Sequence, residues 1–555
     1  MTKPLVCLAA ALGATCLAAA EPPSVRLAYN YCTLSYTFAF YSDAAWEQEI
    51  SRLAKAGYNA ALVIDGTFKV WQMTLRDIGY GEEEIRAFIP DECARAWWLM
   101  GNLTGEGGPL DQATIDADGE RGRRICALMR AKGIEPVLHG FTGMMPLGHP
   151  TAIKQGKWGC YERPPILDPT GLEYAHVADI WHKNLEKVYG FKPKYLAGDL
   201  FHEGGVTAGV NVTAATCAVQ AAQQRAFPGV TWVVQAWQRN PTAAVRAGLD
   251  PRHTLVEALV KDLSHDPAPQ DFGDLPWIWC EVLNFGGNHG LYGNLKTFAR
   301  LGACTNATFR GYGALSEGFF TNEVCSDLFE EMMVSPAGRV MDDAELDAWL
   351  EAWVRARYGV EDARLVEAWR LLAASSYACA TCQEGTHENL MCAKPGWAVT
   401  HVSSWGPTGS VWYASGTLAK ARAKLKDAAK ALATPPKTLR HDIVDVTRQV
   451  YADRARANAP NLKDDLRARR SFLADMATLG RMLAKSGDEA FYLETQLKKA
   501  RERAGARGEK AFRRMVTTWA DASFGHTTLE DYANREYAEL ILDYYLPRWR
   551  AFLTK

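Results

Sequence analysis

Short apolar runs and longer amphipathic stretches alternate along the first half of the chain. VRLAYNY (25–31), NAALVID (59–65), EPVLHG (135–140), KYLAGDL (194–200), TWVVQAW (231–237), HTLVEAL (253–259), PWIWCEVL (276–283) and TFRGYGAL (308–315) read as strands. Between several of them lie segments such as AAWEQEISRLAKAG and EYAHVADIWHKNLEKVYG, whose apolar positions recur every three or four residues, the spacing of a helix with one buried face. Alternating β and α segments predict a parallel sheet, because helices must cover both faces of such strands. Eight strand candidates match the count of a closed (β/α)8 TIM-type barrel over residues 21–320.

From about residue 320 the period is helical throughout. DDAELDAWLEAWVRARYG, SGTLAKARAKLKDAAKALA, TLRHDIVDVTRQVYADRA and EYAELILDYYLPRWRAFL each carry an apolar face of period 3.6. Pro435, Pro436 and the stretch from Gly385 to Gly396 mark breaks between helices. Residues 321–555 are therefore expected to form an all-α helical domain after the barrel.

The 555-residue length supports about two to four domains. With 48% hydrophobic and 23% charged residues, the composition is that of a globular protein. Residues 1–20 combine Lys3, an apolar run and Ala18–Ala20 before Glu21, the pattern of a secretory signal peptide. This predicts a secreted or periplasmic protein, and Cys16 lies in a poor context for lipid attachment. No later stretch approaches the roughly 18 uninterrupted apolar residues of a membrane helix. Loss of the leader takes the formal charge from −2 to −3; with no basic block, nucleic acid is an unsuitable partner. Thirteen cysteines become eleven, and an odd number cannot all pair within one chain.

Two glutamates carry the chemistry. Glu203 in YLAGDLFHEGG and Glu317 in FRGYGALSEGFFTNEV each follow a strand-like run and open a Gly-rich loop. A barrel brings such strand-end residues to one pocket at its C-terminal face. Two carboxyls flanking a sugar are the working core of glycoside hydrolysis. Glu323, at an expected helix start, suits a capping role, and Glu281 interrupts an apolar strand as a third carboxyl. Neither a P-loop nor a strand-linked GxGxxG is present, and the two-carboxyl chemistry needs no cofactor or metal.

NYCTLSYTF (30–38), AWWLMGNL (96–103), GPLD (108–111), IWCEVLNFGGNHGLYG (278–293), EGFFTNEV (317–324), LRHDIVDVTRQ (439–449), DYANREY (531–537) and YYLPRWRAFL (544–553) follow one another in an order that resembles glycoside hydrolase family 89, the α-N-acetylglucosaminidases. The resemblance implies an exo-acting, retaining hydrolase that releases terminal α-linked N-acetylglucosamine from glycans, with Glu203 as acid/base and Glu317 as nucleophile. It further implies a sugar pocket formed by Asn30, Cys32, Trp97, Met100, His202, Trp237 and Phe285 of the barrel, with His387, Trp519, Leu529 and Tyr532 from the helical region. Asn288 and His289 of GGNHG would lie at the mouth of the barrel, either touching the ligand or only shaping the backbone. The family commonly carries Asn where this chain has His202, and a small α/β domain ahead of the barrel. Cleavage of a different α-hexosaminide and glycan binding without turnover are the alternatives.

Cys379, Cys382, His387 and Cys392 have the spacing of a zinc knuckle. An oxidising compartment favours a disulfide among the three cysteines instead. The resemblance places His387 against the sugar, and one imidazole cannot serve both that role and a metal.

Overall fold

The computed structural model describes residues 23–260, 263, 267–380, 388–400, 402, 411–414, 416–520 and 529–555. All eight barrel strands form where the sequence places them. They are Val25–Ala28 (β1), Ala60–Val63 (β2), Glu135–His139 (β3), Tyr195–Ala197 (β6), Thr231–Ala236 (β7), Thr254–Val260 (β8), Trp277–Glu281 (β9) and Phe309–Ala314 (β10). A two-residue-per-strand antiparallel hairpin, Lys157–Trp158 (β4) and Tyr161–Glu162 (β5), stands outside the ring. The barrel strands pair in parallel as β1-β10-β9-β8-β7-β6-β3-β2 and close on β1. Most of their residues are buried, as strands packed on both faces must be.

Closure depends on one glycine. Pairing of β10 with β9 shifts register between Phe309 and Gly311, and Gly311 adopts φ 157°. A Cβ there would stand 1.8 Å from the carbonyl oxygen of Val25, so β1 and β10 meet in register only with no side chain at this point.

The helices Asp43–Ala56 and Leu172–Tyr189 match the predicted amphipathic stretches. Each ends on a left-handed glycine, Gly57 and Gly190 respectively. The helix Glu323–Met333 packs on the barrel through Phe329, which meets Trp279, Phe298 and Tyr312. Beyond it the chain is helical, with Asp343–Tyr358, Thr417–Lys430 and Lys437–Asn458 at the predicted places and Pro436 capping the last. The final segment departs from the simple helix its period suggests. Leu540–Tyr545 forms a π-helical turn before the α-helix Leu546–Leu553. Pro547 has no N–H for the carbonyl four residues back, and its ring crowds that turn, so the backbone widens ahead of it.

The helical region docks on the barrel through charge and backbone contacts. Arg507 holds both oxygens of Glu92, Arg514 pairs with Asp91, and buried Arg448 donates to the carbonyl of His289 at 2.6 Å. Among the described residues no helix is long and apolar enough to cross a membrane.

Candidate active site

Asn30, Cys32, Tyr36, Trp97, Met100, Trp158, His202, Glu203, Gln235, Trp237, Leu259, Val282, Phe285, Glu317, Leu529 and Tyr532 line one pocket at the C-terminal ends of the barrel strands. Its volume is about 630 Å³ including solvent at the mouth. All eleven of the expected site residues other than His387 and Trp519, the pair Glu203 and Glu317 included, thus line this one pocket.

Glu203 sits in a loop after β6 whose backbone is left-handed at Phe201 (φ 60°) and Glu203 (φ 49°), a conformation that non-glycine residues seldom adopt. Contacts around the loop hold it there. Arg163 donates to the carbonyls of His202 (2.9 Å) and Glu203 (3.0 Å), and Asn240 donates to that of Phe201 (3.1 Å). The carboxylate accepts four side-chain N–H groups. Asn102 (2.8 Å) and the Trp158 indole (2.7 Å) donate to Oε2; the Trp237 indole (3.0 Å) and Gln238 (3.2 Å) donate to Oε1.

Glu317 follows β10, and backbone groups are among its supports. Its own N–H donates to Leu283 O (3.0 Å), Thr37 donates to its carbonyl (2.7 Å), and Gly286 N–H donates to Oε2 at 2.5 Å. That amide belongs to the turn Phe285–Gly287, where Gly286 has φ 66° and a Cβ would lie 2.5 Å from the carbonyl oxygen of Tyr532. Asn30 ties the first strand to this loop by donating to Leu315 O at 2.6 Å. The Cys32 thiol stands near both carboxylates. Burial and then the charges of Glu317 and Glu203 push its pKa well above the usual thiol value, so it remains an S–H.

Two family models match the chain. The α-N-acetylglucosaminidase TIM-barrel domain covers residues 26–336, and the C-terminal domain of the same family covers 349–555. The chain belongs to the α-N-acetylglucosaminidase family of glycoside hydrolases. Human α-N-acetylglucosaminidase is 32% identical over 585 residues, spanning 97% of this chain and 75% of the human one. A family 89 glycoside hydrolase from Clostridium perfringens, in complex with 2-acetamido-1,2-dideoxynojirmycin, superposes with TM-score 0.88 at 26% identity over 96% of this chain. A Clostridium perfringens variant with two glutamates changed to glutamine, in complex with its substrate GlcNAc-α-1,4-galactose, has TM-score 0.88 at 25% identity and 96% coverage. This chain spans 63% of the length of each of those two bacterial chains.

Within this α-N-acetylglucosaminidase-family pocket several residues take places that the sequence did not reveal. Trp519 stands one layer behind the lining, its ring 4.7 Å from Trp97 and 5.8 Å from Trp158, with its indole donating to the Tyr36 hydroxyl at 2.9 Å. His387 and Cys382 lie outside the described residues, while Cys379 and Cys392 are buried. Asn288 donates to the carbonyl of Asn534 (2.9 Å), and His289 packs between Phe491 and Tyr537, so both face the helical region. Glu323 is the first residue of its helix and pairs with Arg357; the cap position is Asn322. Glu281 lies beneath the Glu317 loop, accepting from Ser316, and burial raises its pKa to about 7. Asn102, Trp158, Gln238 and Tyr36 were not anticipated, since no sequence period marks residues that converge only in three dimensions.

A larger cavity, about 1360 Å³, lies behind the Glu317 loop and is lined by Phe319, Phe320, His289, Arg357 and His441 among others. It contains neither catalytic candidate, and Arg357 there is neutralised by Glu323 and Asp442. The smaller pocket has the chemistry.

Proposed function

We propose that this chain is an exo-acting, retaining α-N-acetylglucosaminidase that releases terminal α-linked N-acetylglucosamine from glycans by double displacement. One observation carries the reading: two carboxyls from the ends of different barrel strands share a small pocket walled by aromatic rings. The bound ligands of the Clostridium perfringens structures support the same sugar. In an α-linked N-acetylglucosaminide the acetamido group and the leaving group lie on one face of the ring. The acetamido oxygen therefore cannot displace the leaving group from behind, and the protein must supply the nucleophile.

Glu317 attacks the anomeric carbon while Glu203 passes a proton to the departing oxygen. Glu203 then takes a proton from water as that water attacks the glycosyl ester on Glu317. Retention by this route requires the carboxyls about 5 to 5.5 Å apart. The tight anchoring of Glu317 by the Gly286 amide suits an attacking group that must keep one position. Trp97, Trp237, Phe285 and Tyr532 supply apolar faces for the sugar ring, Asn30 and His202 polar edges, and Cys32, Met100 and Leu529 fill the remaining wall. Trp519 acts from behind Trp97, and His387 is proposed to touch the sugar, as the resemblance implies. Residues 1–20 would direct export before the enzyme meets its glycan.

A panel of chromogenic α- and β-linked hexosaminides tests the assignment. The α-N-acetylglucosaminide should be cleaved, with the α-anomer of the free sugar appearing first by NMR. First release of the β-anomer would establish inversion, and preference for another hexosaminide would replace the substrate.

A further inference from the structure

The polar groups lining the pocket are nearly all committed to protein partners. Asn30 donates to Leu315 O and accepts from the Thr33 amide at 2.8 Å. The indoles of Trp158 and Trp237 are both taken up by Glu203. The Cys32 thiol is directed to Glu317. His202 is different. It is only 5% exposed, lines the pocket, and among the described residues its ring makes one hydrogen bond, from Nδ1 to Asp199 Oδ2 at 3.1 Å. Asp199 is itself fixed, because its other oxygen accepts the Gln235 amide at 2.9 Å. Among the described residues Nε2 has no protein partner.

A buried polar atom opening on a pocket is a position for ligand to occupy. Asp199 decides which kind of partner it takes. A carboxylate at Nδ1 keeps a proton on that nitrogen, so a neutral His202 would present only a lone pair at Nε2. A doubly protonated ring presents an N–H there.

Resting on the reading that the sugar is N-acetylglucosamine, we propose that Asp199 is a positioning residue and His202 the specificity determinant for the 2-acetamido group, with Nε2–H of the imidazolium donating to the acetamido carbonyl. Burial opposes charge on the ring, but the hydrogen bond to Asp199 and the negative charges of Glu203 and Asp199 outweigh it, and the pKa is raised. Arg163, which follows β5, works against this charge. Glu257 on β8 reaches the pair through Asp199; burial lifts its pKa to about 8, so near neutrality it is largely an uncharged carboxyl. His139 on β3, lowered to about 3 by burial, stays neutral, as does Tyr31, whose hydroxyl it meets at 2.8 Å.

The test is binding of free N-acetylglucosamine and of glucose between about pH 5 and 9 by calorimetry, since neither sugar titrates there. Wild-type affinity for N-acetylglucosamine should fall about tenfold as His202 loses its proton, the worth of a hydrogen bond to a charged group. Glucose should show no such fall. His202→Asn supplies an amide donor that does not titrate, so it should bind N-acetylglucosamine with a flat pH profile. Asp199→Asn should move the fall to lower pH. A fall that persists in His202→Asn, an affinity that rises with pH, or an equal fall for glucose would overturn the proposal. Should either variant unfold, NMR titration of the His202 ring in the wild type, with and without N-acetylglucosamine, decides: the sugar must raise its pKa. Cleavage of the chromogenic α-N-acetylglucosaminide is scored separately, so loss of that activity would count against the enzyme reading and not against this one.

Discussion

The loops bearing Glu203 and Glu317 solve one problem in opposite ways. Glu203 rides on a strained, left-handed backbone and is steadied by side chains: two indoles, two amides and, beneath it, the Arg163 guanidinium. All five belong to the barrel and its loops. Glu317 takes a backbone amide from a glycine turn beside the Cys32 thiol, and that turn is gripped from the helical region. Arg535 donates to the carbonyl of Gly286, Asn288 of the turn donates to Asn534 O, and a Cβ on Gly287 would stand 2.2 Å from the Arg535 guanidinium. One carboxyl depends on side-chain chemistry within a domain, the other on the fit between two.

The largest expected effect removes either carboxyl. Glu317→Ala should lower turnover by about 10⁴-fold or more for every leaving group. Azide should restore reaction with inverted product. Glu203→Ala should cost about 10²- to 10⁴-fold with poor leaving groups and least, in the first step, with acidic phenols. Azide rescue there should retain configuration; product stereochemistries the other way round would exchange the two roles.

A smaller loss should follow when the helical region releases its turn. Arg535→Met is expected to cut kcat about ten- to a hundredfold by loosening the Gly286 amide, with a smaller rise in KM because Phe285 of the same turn lines the sugar wall. An equal rise in KM, measured with the same chromogenic substrate, would mean that the pocket itself has opened. On the other loop, Trp158→Phe removes one of four donors and keeps an aromatic face. It should cost about tenfold in kcat/KM, concentrated in substrates that need protonation of the leaving group. A leaving-group-independent loss would place Trp158 in sugar binding.

The smallest effect concerns stability beneath Glu317. The Glu281 carboxyl titrates near 7 in the fold, well above its unfolded value. Its contribution is therefore fully present below about pH 4.5 and fades as pH rises toward 7, because the unfolded chain ionises first. Glu281→Gln should flatten that part of the stability curve by roughly 1–3 kcal/mol in chemical denaturation. An unchanged slope would show that Glu281 keeps its ordinary titration when folded.

Much of this architecture was legible in the residues themselves. Parallel strands buried on both faces leave short, dense apolar runs, and all eight were visible as such. Glu203 and Glu317 stood out because each breaks such a run at its end. The partners of Glu203 left no mark of that kind. Trp158 lies on a hairpin of two-residue strands, and Asn102 and Gln238 lie in loops, so their meeting is a property of the assembled barrel. The same is true of Arg535, one basic residue in a helical half rich in them. Periodicity also missed the widened turn Leu540–Tyr545, since the apolar face persists through it while Pro547 alone disturbs the hydrogen bonding.

The β4–β5 hairpin has a consequence for how such a site diversifies. Its sheet partners are its own two strands, yet its indole touches one oxygen of Glu203. A change in the hairpin can therefore alter the chemistry presented to Glu203, within the limits set by Trp519 and Arg163, while the closed ring, sealed at Gly311, is left intact. The Glu317 turn offers no such freedom, because every change there must satisfy β9, β10 and the helical half together. On the proposed roles of the two glutamates, variation in the released alcohol should accumulate on the hairpin side over evolutionary time, and the Glu317 side should stay as it is.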